Sequence, residues 1–501
     1  MAARIFLRHV CSPIRFQPPG PANRPGTSRP RPQEPVVSRN SDNEFQVSIA
    51  YSCKFYAFLD SLRSIFQKLL QRICCPFLIP SSAQTCIFGG SIILWRVQRE
   101  MPWREFVLLS GLLFVHAMGL GAWFVPLATV LDAHGLQSIK PYAFATSAIA
   151  ALISPLIFGG MADRHFAPVR VLRWVCAATG LAVALAGFGI QQHLNPWLVL
   201  ALIQLQALCL APTWSLSSSI VLGRLNNPQR QFGSIRAFGT LGWMTGCWIV
   251  SALRADASTS ACYTAAIFWG LVAAYTFLLP AVPPLQSAAP LTWREMFGLD
   301  ALALLKIRDH RVVFLTAALF SIPLAAFYPF TPTHLHEFGL ERTSAWMSLG
   351  QVTEIITMVA LARLLGFWRI KWSLAAGLGF GLIRYALCAM NSKSWVLIGV
   401  TLHGFAFTMF FITAQIYVDQ RLDPAYRARG QALYTVMVSG LGNLFGYLGT
   451  GWWFRACRRG GTEDWTLFWG VLAGVITIVL LWFMFTYRGR GKQTSQPANP
   501  A

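Results

Sequence analysis

Residues Phe232 to Val250 read FGSIRAFGTLGWMTGCWIV, an apolar run long enough to cross a bilayer, with Arg236 one turn inside its start. A guanidinium at that depth is costly, so it calls for a partner, a watery cavity or an interface within reach. Which of these applies depends on how many such runs the chain holds, which way they face and what the others carry.

The 501 residues are 55% hydrophobic and 12% charged, against roughly 25% charged in a soluble globular chain. That composition defines an integral membrane protein with the lipid bilayer as its solvent. The net charge of +22 sits in short basic clusters between apolar runs and not on an aromatic-interleaved patch, so no nucleic-acid partner is expected and the clusters read as cytoplasmic loop anchors. Among the 11 cysteines, Cys176, Cys209, Cys247, Cys262 and Cys388 lie in or at the ends of apolar runs without CxxC spacing, which predicts small packing residues and neither a metal site nor a disulfide.

The first hundred residues differ. They hold a Pro, Arg and Ser rich stretch (17–35), a weakly amphipathic piece (56–73) and a short apolar patch (86–95), none reaching the roughly 20 apolar residues of a spanning helix. Residues 1–100 are therefore expected to be a basic extension without a fold of its own, with Met101, just ahead of the first full span, as the expected start. The alternative is a basic arm carrying a helix on the membrane surface.

From Met101 onward about twelve apolar runs follow, at 105–131, 141–162, 169–191, 196–222, 233–253, 262–284, 312–334, 344–366, 371–391, 395–418, 429–453 and 465–487. The connection at 286–311, preceded by Pro280, Pro283 and Pro284 and carrying Pro290, separates a bundle at 101–285 from one at 312–488, with a tail at 489–501. Lys and Arg favour the even-numbered loops and the tail, which predicts both termini in the cytoplasm. The cluster Arg455, Arg458, Arg459 runs against that pattern. The halves echo one another: DRHFAPVRVLRW follows span two and ARLLGFWRIKW follows span eight, with Arg164/Arg170 and Arg363/Arg369 equally spaced. The expected fold is an all-α membrane protein of twelve transmembrane helices in two pseudo-symmetric six-helix bundles, with a solute cavity between them near mid-membrane.

Few ionisable residues lie inside the spans. Glu354 is well inside span eight and one turn from Gln351, so the two share a face; Arg236 and Thr240 share a face of span five, with Trp243 following. If these faces oppose one another across a central cavity, Glu354 offsets Arg236. Burial penalises a carboxylate's charge and a nearby guanidinium favours it, a balance that lets a proton come and go. The competing expectation is that Arg236 snorkels to the interface while Glu354 serves a helix contact. Arg384 in span nine reads as structural, and His116 and His403 as packing residues, although histidine as a residue type titrates near neutrality. HLHEF at 334–338 has metal-like residue types without a further ligand cluster, so no metal is expected.

GGMADR (159–164) resembles the cytoplasmic signature of the major facilitator superfamily. IRAFGTLGW (235–243), MFGLDALALLK (296–306), GQVTE (350–354), LIRYAL (382–387), PAYRARGQALY (424–434) and EDWTLFW (463–469) together resemble the nucleoside:proton symporter family, in order from about Gly121 to Tyr487. The resemblance implies the major facilitator fold, alternating access and proton-coupled nucleoside uptake by a multi-pass monomer of the inner membrane, without a cofactor. It implies substrate contacts from Arg236, Thr240, Trp243, Gln351 and Glu354, beside which Tyr328, His403 and Phe407 are expected as further contacts, with proton coupling at Glu354 and gating at Asp163 and Arg164. The chain departs from the family in span ten: a member's Tyr-Gly-x-Ala-Phe-Asp is here His403-Gly404-Phe405-Ala406-Phe407-Thr408, so coupling would rest on Glu354, aided by His403. Another small polar solute such as a sugar, or a solute sensor, would fit the same machinery. Enzyme and ATP-pump classes are disfavoured: the loops show no DxxD, HExxH or GxSxG, and GRGKQT lacks P-loop spacing.

Overall fold

Proline and glycine decide where the helical rods bend and stop. The computed structural model describes residues 101–158, 167–226, 228–280, 292, 294, 297, 299–422, 424–459 and 462–489, all within the compact unit Gly89–Ala501. Residues 1–100, part of the central connection, the tail from residue 490 and the pair Asp163 and Arg164 lie outside the described residues. The first half contains α1 (Trp103–Phe124), α2 (Leu127–Ala133), α3 (Lys140–Phe158), α4 (Pro168–Gln191), α5 (Pro196–Leu222), α6 (Pro228–Ala252) and α7 (Ser260–Tyr275). The second half opens with a 3-10 helix (Leu299–Lys306), followed by α8 (Arg308–Leu324), α9 (Phe327–Glu337), α10 (Thr343–Met347), α11 (Leu349–Phe367) and α12 (Ile370–Ala389). It continues with α13 (Lys393–Thr401), α14 (His403–Phe407), a π-helical turn at Thr408–Ile412, α15 (Thr413–Arg421), α16 (Pro424–Thr435), a second π segment at Val436–Gly442, α17 (Asn443–Ala456) and α18 (Trp465–Thr486).

Seven described helical stretches are long and apolar enough to cross a membrane: Trp103–Ala133, Pro168–Gln191, Pro196–Leu222, Arg308–Glu337, Ile370–Ala389, Lys393–Arg421 and Trp465–Thr486. Large apolar side chains point outward along the bundle, with Trp174 and Phe277 each 69% exposed and Phe485 82% exposed. Such surface is tolerable only against lipid tails, and the chain is a multi-pass membrane protein.

The internal repeat extends to backbone detail. The first rod breaks between α1 and α2 at Pro126, which offers no N–H to the helical ladder, and its counterpart breaks between α8 and α9 just after Pro323. Both rods then end the same way: Gly135 and Gly339 take left-handed φ of 71° and 74°. The next amides turn back, Leu136 N–H to the Leu131 carbonyl at 2.8 Å and Leu340 N–H to the Leu335 carbonyl at 3.2 Å, the bond that a glycine after a helix end permits. Trp269 in α7 and Trp469 in α18, each following a phenylalanine, are both fully buried at the centres of their halves. The buried apolar residues accordingly form two clusters, one per half, that meet at Val125, Cys247, Ala325 and Tyr447. The Arg458 and Arg459 cluster forms a short hairpin, pairing with Thr462 and Glu463, and Arg458 contacts the Glu463 carboxylate at 3.3 Å.

α1 and α6 lie almost backbone to backbone. A Cβ placed on Gly242 would fall onto the Phe114 carbonyl of α1, so this crossing accepts only a hydrogen there. Gly242→Val is expected to lower stability by about 1–3 kcal/mol through overpacking. Thermal unfolding in detergent checks this; an unchanged midpoint would show that the helices can separate freely.

Candidate substrate site between the halves

The close α1–α6 crossing carries Arg236, Thr240 and Trp243 to the inner wall of the first half, where all three are half-buried. The Arg236 guanidinium lies over Trp214 of α5, 4.9 Å from the ring centroid, a cation–π contact that steadies the charge without neutralising it. In the second half, α11 and α14 approach as closely: a Cβ on Gly404 would meet the Glu354 amide, the Gly350 carbonyl and the Thr353 hydroxyl. That packing sets His403 beside Gly350 and brings Gln351, Glu354, His403 and Phe407 onto one wall. Gln351 donates to the Tyr328 hydroxyl at 3.4 Å.

The two walls meet through rings. Phe124 of α1 touches Tyr328 of α9 at 5.1 Å, Trp243 touches Tyr328 at 6.2 Å, and Tyr328 touches His403 at 5.9 Å, which in turn faces Phe407 at 6.1 Å. An aromatic chain therefore crosses from one half to the other, of the kind that receives a flat heterocycle. Along it stand polar groups that the protein leaves open. Among the described residues no ion pair joins Arg236 to Glu354, yet each acts electrostatically on the other. The Thr240 hydroxyl and the Glu354 carboxylate have no hydrogen-bonding partner among the described residues and are not sealed off. Trp243 Nε1 is buried without a partner among them. Beside the cluster, and sharing Phe124 and Trp214 with it, lies a cavity of about 540 Å³ whose wall includes His116, Ser147, Gln206 and Thr435.

Thr408, the last residue of the span-ten motif compared above, has its hydroxyl buried with no partner among the described residues, at the head of the π-helical turn. His334 is engaged by Asn391 Oδ1 at 2.9 Å and stacks on Trp465 at 4.3 Å. His116 Nε2 meets the Thr213 hydroxyl at 2.9 Å. Phe124 and Trp214 belong to the site's architecture but carry no sequence signal that separates them from packing residues.

Among the described residues, the hydrogen bonds between halves gather at one end of the bundle. Lys140 bridges Asp132 at 2.8 Å and Thr333 at 3.0 Å, and Thr333 also donates to Asp132. Asp256, after α6, accepts from the Ser344 amide at 2.7 Å and so caps the start of α10, while Ser251 accepts from the Ala345 amide and Trp248 donates to Ser348. The halves are latched there.

Two bundles of matching topology, latched at one end around an aromatic and polar cluster, define a secondary transporter of the major facilitator type and not an enzyme. The same fold occurs in the crystal structure of the nucleoside transporter NupG, with a TM-score of 0.68 and 24% identity over 77% of this chain and all of that one, and in the POT family transporter PepTSo, with a TM-score of 0.58. A sequence profile described as "Nucleoside H+ symporter" matches residues 106–492, and the chain belongs to that family. YegT of Escherichia coli (strain K12) is 32% identical over 400 residues, spanning 76% of this chain and 93% of YegT. The xanthosine permease of the same organism is 26% identical over 392 residues, spanning 74% of this chain and 92% of the permease.

Proposed function

We propose that the chain takes up nucleosides together with protons, binding the solute between its halves at Arg236, Thr240, Trp243, Tyr328, Gln351, Glu354, His403 and Phe407. One observation carries this: a guanidinium and a carboxylate that have no ion-pair partner among the described residues, from separate bundles, flank a chain of rings that joins those bundles. A nucleoside matches it, with a flat base for the rings, carbonyl oxygens for Arg236 and ribose hydroxyls that can donate to Glu354. The carboxylate is also the proton carrier. Charged, it opposes Arg236 across an open site; protonated, it leaves a neutral wall against which the halves can close on the solute, so that rearrangement follows proton and solute together.

In this proposal all twelve rods cross the inner membrane of a monomer, both termini face the cytoplasm, and Asp163 and Arg164 act at the cytoplasmic gate. The latched end then faces outward and the site opens inward. Uptake of uridine, adenosine and a hexose into proteoliposomes, with and without a pH gradient, tests it. Gradient-driven nucleoside uptake is the expected result; uptake of the sugar alone, or binding without counterflow, would replace it with a different cargo or with a sensor.

The latch itself is testable. Asp256→Ala removes a charged acceptor from the interface, worth about 1.5–3 kcal/mol for each bond lost, and should shift the protein toward opening at that end. Spin labels at Gln137 and Glu341 are expected to report longer distances in the variant. An unchanged distribution would mean that Asp256 serves only its own loop.

A further inference from the structure

Arg384 is fully buried within α12, and among the described residues no carboxylate pairs with it. Its Nη1 lies 2.6 Å from His403 Nδ1, and its guanidinium carbon stands 4.6 Å from the centroid of Phe327 and 4.5 Å from that of Tyr385. Nε and Nη2 have no partner among the described residues. A buried guanidinium left this incompletely satisfied is expensive, and a packing role would be filled more cheaply by an apolar side chain of similar volume.

What the arrangement achieves is visible at His403. A guanidinium has only hydrogens to offer, so Nδ1 must accept; the ring is then neutral and its own hydrogen is on Nε2. Phe327 fixes the ring plane by stacking at 4.3 Å with an 11° tilt. Nε2 has no protein partner among the described residues and is not sealed from open space. The titratable and charged groups around the ring are Arg384 from α12, Tyr328 edge-on from α9, and Glu354 of α11, whose backbone packs against Gly404. Nothing among the described residues competes for the outward hydrogen.

We propose that Arg384 is a positioning residue that holds His403 as a one-way donor, Nε2–H toward the cavity, so that the site selects at this point a solute atom with a free lone pair, such as a base carbonyl oxygen or a pyridine-type ring nitrogen. The choice of uridine as probe rests on the nucleoside function proposed above. Selective 15N-histidine labelling of the full chain, with the His403→Gln spectrum assigning the signal, reads the ring directly. The expected result is a neutral ring with its hydrogen on Nε2 across roughly pH 5.5 to 8, and an Nε2 signal that moves when uridine is added. In Arg384→Met nothing holds the hydrogen off Nδ1, so the ring should no longer be fixed as the Nε2–H tautomer, and uridine should bind about tenfold more weakly. Arg384→Gln, whose amide can still donate to Nδ1, should retain most of the affinity and the fixed tautomer. A wild-type ring that titrates or carries its hydrogen on Nδ1, equal losses in the Met and Gln variants, or uridine bound without moving Nε2 would each overturn the proposal. If wild-type protein binds no nucleoside at all, the proposed cargo fails, while the wild-type tautomer and its dependence on residue 384 still decide whether Arg384 positions His403.

Discussion

Glu354→Gln is expected to keep uridine binding and lose accumulation. A pH difference of two units stores about 2.7 kcal/mol per proton, enough to concentrate a solute ~100-fold with one proton per turnover. The glutamine keeps the shape and the acceptor oxygen of the wall but exchanges no proton, so vesicles bearing the variant should fill only to equality with the outside, a ratio of about one. Thr408 holds a hydroxyl where an acid would provide a second carrier, and its oxygen is buried without a partner among the described residues, so the proposed coupling rests on Glu354. Accumulation in the variant that still follows the imposed gradient would show that another group carries the proton. Equilibrative counterflow should survive, because the binding wall is intact; its loss would point to misfolding and not to uncoupling.

Arg236→Ala should act on affinity instead. The guanidinium lies over Trp214 with no ion-pair partner among the described residues, so a solute carbonyl is the acceptor it is free to take. Hydrogen bonds from charged groups contribute about 1.5–3 kcal/mol, and uridine binding is expected to weaken about 10- to 150-fold. Arg236→Lys should recover only part of this, since an ammonium has no flat face to lie on the indole and no fork for a carbonyl. Wild-type affinity in the alanine variant would mean that the side chain merely reaches for the membrane interface.

Arg236 and Glu354 were readable from sequence because a charge inside an apolar run is rare and costly, and hence conspicuous against its background. Their helices were readable from the apolar runs themselves: the expected run at 233–253 appears as Pro228–Ala252 and that at 344–366 as Thr343–Met347 followed by Leu349–Phe367. Hydropathy says nothing of backbone breaks, so the bend at Pro126 and the π-helical turns at Thr408–Ile412 and Val436–Gly442 had no counterpart in the sequence reading. Nor does it give the rotation of one helix against another. Trp214 and Phe124 are ordinary aromatic residues in apolar helices until α6 and α9 bring Arg236 and Tyr328 to them. Arg384 read as structural because its partner is an imidazole 19 residues away on a neighbouring helix, and no spacing rule links the two.

The most direct measurement is an experimental structure of the protein with uridine bound. Solute touching Arg236 on one bundle and Glu354 on the other, its base against the ring chain of Trp243, Tyr328 and His403, is the predicted result. Uridine lodged wholly within the first half, in the cavity walled by His116 and Gln206, with both charged side chains untouched, would contradict it.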